Sequence, residues 1–493
     1  MKKKLRMLIR CGIMLVALVI ALRYLSNLLQ RKDSVNRYRP FLEQDADFDV
    51  LFLGSSHTMN DVYPMELWRD YGIVSYNLGG PANRLATTYW VMKNALDYTS
   101  PKLMVVDGFF LGYEIKTDFR MEFVHSSLDG FPLSLTKIIM LLDLMNDPAY
   151  DTAEDKEERT LLNMLWKFRL YHERWADNNT DWFTTDWNRE KGAEAQIGIA
   201  VPREIANESE RKGQFEGDSV SIQYLRRIIS ECQSKGIEVL LTYLPFPAAQ
   251  VDWHEANRLY EIADEYGVNY INFLDTDIVD FSTDCYDSSA HLNASGARKV
   301  TNYLGRYIME HYDIADQRDN PLYSSWHEDY ADYEKLKTEW LKQQTALDRY
   351  LMLLADRHYD VFIEVDNPVL WMDQKYVNLA RNLGADVSQL EGKTGFIVID
   401  GSERTAQCVP CNPSQEHIYD TILGELRIEC SEEGERAVSL DGVWCVTAYP
   451  GDGASIRIRA LDMDKGERLD GAVFSYALEV WPDECRLKEP VRL

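Results

Sequence analysis

Phe48-Asp49-Val50-Leu51-Phe52-Leu53-Gly54-Ser55-Ser56-His57 is the stretch from which the fold of this chain is read. Its apolar run is short enough for a buried strand, and the Gly-Ser-Ser that follows reads as a tight turn. The same grammar recurs downstream. Residues 73–77 read as a second strand ending at Leu78-Gly79-Gly80-Pro81, 83–98 as a helix, and 103–106 as a strand ending at Asp107-Gly108. After a long interruption, a helix over 219–235 leads to a strand over 237–243. A helix over 253–266 then leads to a strand over 268–273. Short apolar strands alternating with helices predict an α/β fold with a parallel, doubly wound sheet. In such sheets function collects at the carboxyl ends of the strands, where Ser56, Gly79 and Asp107 fall.

A second stretch supplies a chemical partner for Ser56: Tyr286-Asp287-Ser288-Ser289-Ala290-His291-Leu292-Asn293-Ala294-Ser295-Gly296, a loop followed by a helix over 294–312. A serine hydroxyl is a poor nucleophile until a base takes its proton. An imidazole suits that task, and a carboxylate can fix its tautomer and orientation. A serine in a strand-end turn is often only a turn residue, and Asp is common in turns for its own hydrogen bonds. The case therefore rests on Ser56, Asp287 and His291 occurring in this order on this pattern of elements. His57 reads as a residue that caps or packs beside the turn rather than as the base, and Met59, Trp68 and Trp90 as core.

Together, Phe52-Leu53-Gly54-Ser55-Ser56-His57, Asn77-Leu78-Gly79 and Asp287…His291-Leu292-Asn293 with Gly296 resemble the SGNH/GDSL hydrolase superfamily over about 46–313. The resemblance implies a flavodoxin-like three-layer α/β/α fold and acyl-ester chemistry without a metal or other cofactor. It implies Ser56 as nucleophile, His291 as base and the amides of Ser56 and of Gly79, or its neighbour Gly80, as oxyanion donors. Three departures qualify it. Ser55 stands where the family usually has Asp, as in membrane-anchored DltD-like and alginate O-acetylation proteins. The third-block Gly-Asn is replaced by Asp107-Gly108-Phe109, so the Asn oxyanion donor is either missing or supplied from elsewhere, with Asn83 as one candidate. The family's Asp-x-x-His is one residue longer here. Either a bulged loop lets Asp287 orient His291, or a backbone carbonyl holds a Ser–His dyad.

Working outward, residues 1–32 hold eight Lys/Arg and no Asp/Glu, whereas the whole chain of 493 residues carries −27, so the remainder carries −35. A body this acidic, in a chain whose overall pI is near 4.8, excludes nucleic acid as an expected partner, because phosphate binding needs a basic face. Lys2, Lys3, Lys4 and Arg6 precede an apolar stretch over 7–29, broken by Arg10 and Arg23 near its ends, where long side chains snorkel. No small-x-small cleavage site follows. The expectation is an uncleaved signal anchor with a cytoplasmic N-terminus, a stalk over 33–45, and the bulk of a single-pass chain outside the cell membrane.

Between about 113 and 218 lies an insertion with a hydrophobic helix over 133–144, an acidic stretch over 151–158 and an aromatic-rich segment over 166–187. It reads as a lid or sugar-binding surface, or as a small helical subdomain with its own core. Residues 314–345 read as a linker helix. Residues 346–493 read as a β-rich accessory domain with strands over 350–365, 395–399, 425–429, 437–448, 455–460 and 472–480. Gly442-Val443-Trp444-Cys445-Val446-Thr447-Ala448-Tyr449, followed by Leu469-Asp470-Gly471-Ala472-Val473-Phe474, faintly resembles interleukin-like EMT-inducer (ILEI/PANDER) domains, which implies carbohydrate binding rather than catalysis. Eight cysteines are too few for a disulfide framework. The Cys408-Val-Pro-Cys411 spacing lacks a second pair for zinc and suggests a local disulfide or plain thiols.

Two functions compete. The first is a cell-surface serine esterase or O-acyltransferase acting on an acylated envelope glycan or glycopolymer, with a membrane acyl-exporting partner in the transfer case. The second is a non-catalytic envelope assembly or carbohydrate-binding protein on a degenerate hydrolase fold.

Overall fold

The apolar N-terminal stretch forms one continuous helix, α1 (Lys2–Leu29), long and apolar enough to cross a bilayer at about 1.5 Å per residue. Anchors and signal sequences share that length and composition. The computed structural model describes residues 2–112, 121–146, 168, 171–176, 188–289, 291–356, 358–366, 368–403, 405–412, 414–421, 424–430, 436–440, 443–448, 456–463, 465–474 and 491–492. The chain divides into two units: 1–194, 205–276 and 301–327 form the first, and 195–204, 277–300 and 328–493 the second.

In the first unit, α2 (Lys32–Leu42) leads to β1 (Val50–Leu53), then α3 (Ser56–Asp61), α4 (Pro64–Tyr71), β2 (Ser75–Asn77), α5 (Leu85–Ala95) and β3 (Leu103–Asp107). Two helices of the insertion follow, α6 (Met121–Leu128) and α7 (Leu135–Asn146). The unit then continues through α8 (Val220–Ser234), β4 (Glu238–Tyr243), α9 (Gln250–Tyr266) and β5 (Asn269–Asn272). All five strands pair in parallel in the order β2-β1-β3-β4-β5, the flavodoxin-like order of a doubly wound sheet. The α/β expectation therefore holds, with strand ends shifted by one or two residues. β1 is buried along its whole length, as a strand covered on both faces must be. Local chemistry sets the helix limits: Ser219 caps α8 by accepting from the Ile222 amide, and Gly72 ends α4 in a left-handed conformation.

In the second unit, α10 (Phe281–Asp284) and the start of α11 (Ala294–His311) flank the His291 loop. There follow α12 (Ser325–Gln343), α13 (Leu347–Leu354), β6 (Tyr359–Val365), α14 (Gln374–Asn382), β7 (Gly395–Asp400), β8 (Thr405–Pro410), β9 (Gln415–Thr421) and β10 (Gly424–Cys430). The run ends with β11 (Arg436–Leu440), β12 (Val443–Ala448), β13 (Ile456–Asp462), β14 (Glu467–Phe474) and β15 (Val491–Arg492). Antiparallel pairing arranges them as β15-β14-β13-β6-β7-β8 and β12-β11-β10-β9, and Phe362, Phe396, Leu426, Ile428 and Val438 from both sheets share one core.

Two expectations for this region need correction. The strand read over 350–365 begins as helix α13: Leu347, Tyr350, Leu351 and Leu354 follow helical spacing and are buried. Cys411 pairs with Cys430 rather than with Cys408, which stays a free thiol, because the packing of the two sheets on one core brings the residue after β8 against the end of β10. The acidic stretch 151–158 and Trp166, Trp182, Phe183 and Trp187 lie outside the described residues.

Candidate active site

Ser56 opens α3 directly beyond the carboxyl end of β1. Ser55 forms the cap, with its Oγ accepting from the His57 amide at 3.3 Å. Every residue over 48–68 is buried except Ser56, which is half-buried. An otherwise closed segment thus presents one hydroxyl. His57 turns away into an aromatic cluster, its ring stacked on Phe109 with centroids 4.0 Å apart, which supports its reading as a packing residue. Met59, Trp68 and Trp90 are buried as expected.

The loop after β2 packs against α3. Asn77 Nδ2 donates to the Thr58 and Val62 carbonyls at 2.6 and 2.8 Å, and its Oδ1 accepts from the Gly79 amide at 3.0 Å. A Cβ on Gly79 would lie 2.6 Å from the Met59 nitrogen, so only glycine permits this approach. The Gly79 amide, expected as the oxyanion donor, is thus engaged inside its own loop. Gly80, the alternative, donates to the Gly54 carbonyl at 3.2 Å.

Asn83 differs from both glycines. Its Oδ1 accepts from Ser127 Oγ at 2.6 Å, which fixes the amide orientation, and its Nδ2 is buried with no hydrogen-bond partner among the described residues. A Cβ on Gly80 would lie 2.6 Å from that nitrogen. A buried, oriented and unengaged N–H donor is what an oxyanion site requires. Ser127 lies 44 residues further along, in the insertion, and nothing in the sequence signals its contact with Asn83.

Asp107 closes β3, with its Oδ1 accepting from the Leu244 amide at 3.0 Å. Burial pushes its carboxyl up to about 7 against the lowering effect of that donation. Glu255 on α9 is likewise raised by burial to about 7, although it accepts from the Leu111 amide at 3.1 Å and from the Tyr243 hydroxyl at 3.3 Å.

In the second unit the His291 loop closes on itself. Cys285 and Leu292 form an antiparallel bridge, the Tyr286 amide donates to the His291 carbonyl at 2.9 Å, and the Asn293 amide donates to the Asp284 carbonyl at 2.8 Å. This closure sets Asp287 against His291, with Oδ2 2.5 Å from Nδ1 and Oδ1 accepting from the Ser289 and His291 amides. The two residues therefore meet despite the extra residue between them. Asn293 braces the loop by donating to the Gly198 and Thr283 carbonyls at 2.9 and 2.8 Å. Ser56, Gly79 and Asn83 belong to the first unit, and Asp287 and His291 to the second. Among the described residues no cluster of three or more His, Cys, Asp or Glu could hold a metal ion.

No family model and no curated protein matches this chain. Among solved structures, the crystal structure of a Bacteroides fragilis protein provisionally assigned as an acylhydrolase aligns with it. The alignment covers 57% of this chain and 98% of that one, at 11% identity and a TM-score of 0.28. Similarity that low carries no argument for function, so the residues and their geometry must do so.

Proposed function

We propose that this protein is a serine acyl-ester hydrolase or O-acyltransferase working outside the membrane that α1 crosses, on an O-acylated glycan or glycopolymer. The observation that carries the reading is the Asp287–His291 pair. Asp287 faces Nδ1, which leaves Nε2 as the nitrogen for proton transfer, the division of labour an acid–base histidine needs. The exposure of Ser56 alone in a buried segment supports it as the nucleophile.

In this reading Ser56 Oγ attacks the acyl carbon while its proton passes to His291 Nε2. Asn83 Nδ2 holds the developing oxyanion. The C–O bond to the sugar then breaks as His291 returns the proton to the leaving alkoxide. Water, or a second hydroxyl in the transferase case, cleaves the acyl-enzyme by the same steps in reverse, and a membrane acyl-exporting partner would supply the acyl donor for transfer. The non-catalytic assembly reading draws support from one observation, the engagement of the Gly79 amide by Asn77.

Fluorophosphonate labelling and release of acetate from an O-acetylated oligosaccharide test the two readings. Wild type should label and turn over, and Ser56→Ala should lose both, with turnover falling at least ~10³-fold. Equal labelling of Ser56→Ala would place the reactive group elsewhere.

A further inference from the structure

Helix α7 is built the wrong way round for water. A surface helix normally turns its charges outward and its apolar stripe inward. Here both charged residues of the helix point inward. Lys137 is 5% exposed and donates through Nζ to the Leu128 and Phe131 carbonyls at 2.8 and 2.6 Å. Asp143 accepts from Trp90 Nε1 at 3.0 Å and from the Tyr224 hydroxyl at 3.2 Å. Every exposed residue over 131–143 is apolar: Pro132, Leu133, Leu135, Ile138, Ile139 and Leu142. Leu133 and Leu135 are 68% and 73% exposed, and Leu135, Ile138, Ile139 and Leu142 recur at helical spacing, so they form one stripe. Scattered exposed leucines need no explanation, but a continuous stripe backed by inward charges does.

The occupant follows from where α7 sits in its own unit. α2 begins three residues after α1 ends, and Tyr38 of α2 packs on Phe131 with ring centroids 4.7 Å apart. Phe131 lies four residues before the start of α7. From Leu29 to Tyr38 the chain spans on the order of 15 Å, most of it helical. Arg174 Nη1, from the same insertion, donates to the Leu29 carbonyl at 2.9 Å, at the very end of α1. The insertion is thus fastened to the point where the chain leaves the bilayer.

We infer that the outward stripe of α7 lies in the membrane interface, immersed among lipid acyl chains beside α1. It has no outward Lys or Arg to grip anionic headgroups, so the contact is apolar and insensitive to headgroup charge. The inference rests on the reading of α1 as a membrane helix, and it gives the insertion a role separate from substrate contact.

Photo-crosslinking tests it on the full chain in phosphatidylcholine nanodiscs, with benzoylphenylalanine placed singly at Leu135, Ile139, Ile13 of α1 and exposed Glu208. Leu135 and Ile139 are expected to give phospholipid adducts at about the yield of Ile13 and roughly tenfold above Glu208, because only immersed side chains meet lipid continuously. Adducts to a second copy or to another segment of the same chain, or yields at the Glu208 level, would overturn it when Ile13 labels lipid. Lipid adducts from Leu135 and Ile139 without Ile13 would sustain the α7 contact and discard the membrane helix. Absence from all three would discard both.

Discussion

Asp287 meets His291 at 2.5 Å through a loop one residue longer than the pattern it resembles, so the added residue changes the path of the backbone and not the pairing. If the carboxylate orients the imidazole for proton transfer, Asp287→Asn should hold the wrong tautomer. We expect kcat to fall on the order of 10²–10⁴-fold with KM little changed, measured by steady-state hydrolysis. An Asp287→Asn chain as fast as wild type would mean that a backbone carbonyl holds the ring. Asp107 gives a second prediction, one of stability. Its carboxyl titrates near 7 when folded and near 3.8 when unfolded, so between those values the folded chain binds more protons. Stability therefore falls as pH rises from about 4 to about 7, by an amount on the order of 4 kcal/mol for this group. Glu255, raised for the same reason, acts in the same direction. Thermal melts from pH 5 to 8 should show Tm dropping less steeply in Asp107→Asn than in wild type. Identical slopes would show that Asp107 is ionised throughout.

Helices and strands repeat the lesson one level up: what depends on local pattern was legible, and what depends on distant partners was not. The runs around Leu51, Val105 and Leu241 announced strands because burial on both faces demands unbroken apolar residues. Gly54-Ser55-Ser56 and Asp287…His291 were legible as turn and loop because their chemistry is local. The 350–365 stretch misled because the leucine run of α13 sits directly before the β-branched residues of β6. Asn83 could be nominated from sequence, but the hydroxyl that orients it comes from Ser127, far along the chain. Least legible was the brace on the His291 loop. Asn382, at the end of α14, donates to Thr283 Oγ1 at 2.7 Å and accepts from Lys299 Nζ at 2.9 Å. Lys299 in turn pairs with buried Asp284 at 2.6 Å, and Asn378 donates to Ser282 Oγ at 2.8 Å. Nothing in α14 alone signals this role. Asn382→Ala should loosen the loop while leaving substrate contacts intact, so kcat should fall by roughly tenfold with KM near wild type, as expected of a misplaced catalytic group. A rise in KM alone would assign Asn382 to substrate contact.

At the scale of the whole molecule, the β-rich region and the histidine loop belong to one unit. The second unit draws on three stretches, of which 195–204 and 277–300 supply only ten and 24 residues. So few residues cannot sustain a core by themselves. The stretch 277–300 is held by 328–493: Lys299 and Thr283 by Asn382, and Arg298 by the Met352 and Leu353 carbonyls at 3.4 Å and by the Asp356 carboxylate at 3.6 Å. The stretch 195–204 is held in turn by 277–300, the Ala200 amide donating to the Cys285 carbonyl at 3.0 Å. A chain cut after His327 would keep all five strands of the parallel sheet, with Ser56 and Asn83, yet lose every one of the supports from 328–493. The expectation is a truncated protein with the far-ultraviolet signature of the α/β unit, new protease sites between 277 and 300, and ester turnover reduced by at least about 10², since geometry errors near 1 Å already cost that much. Limited proteolysis and kinetics on the same preparation check it. A truncated chain that resisted cleavage in this segment and kept its kcat would show that the loop holds itself, leaving the C-terminal sheets available for a task of their own.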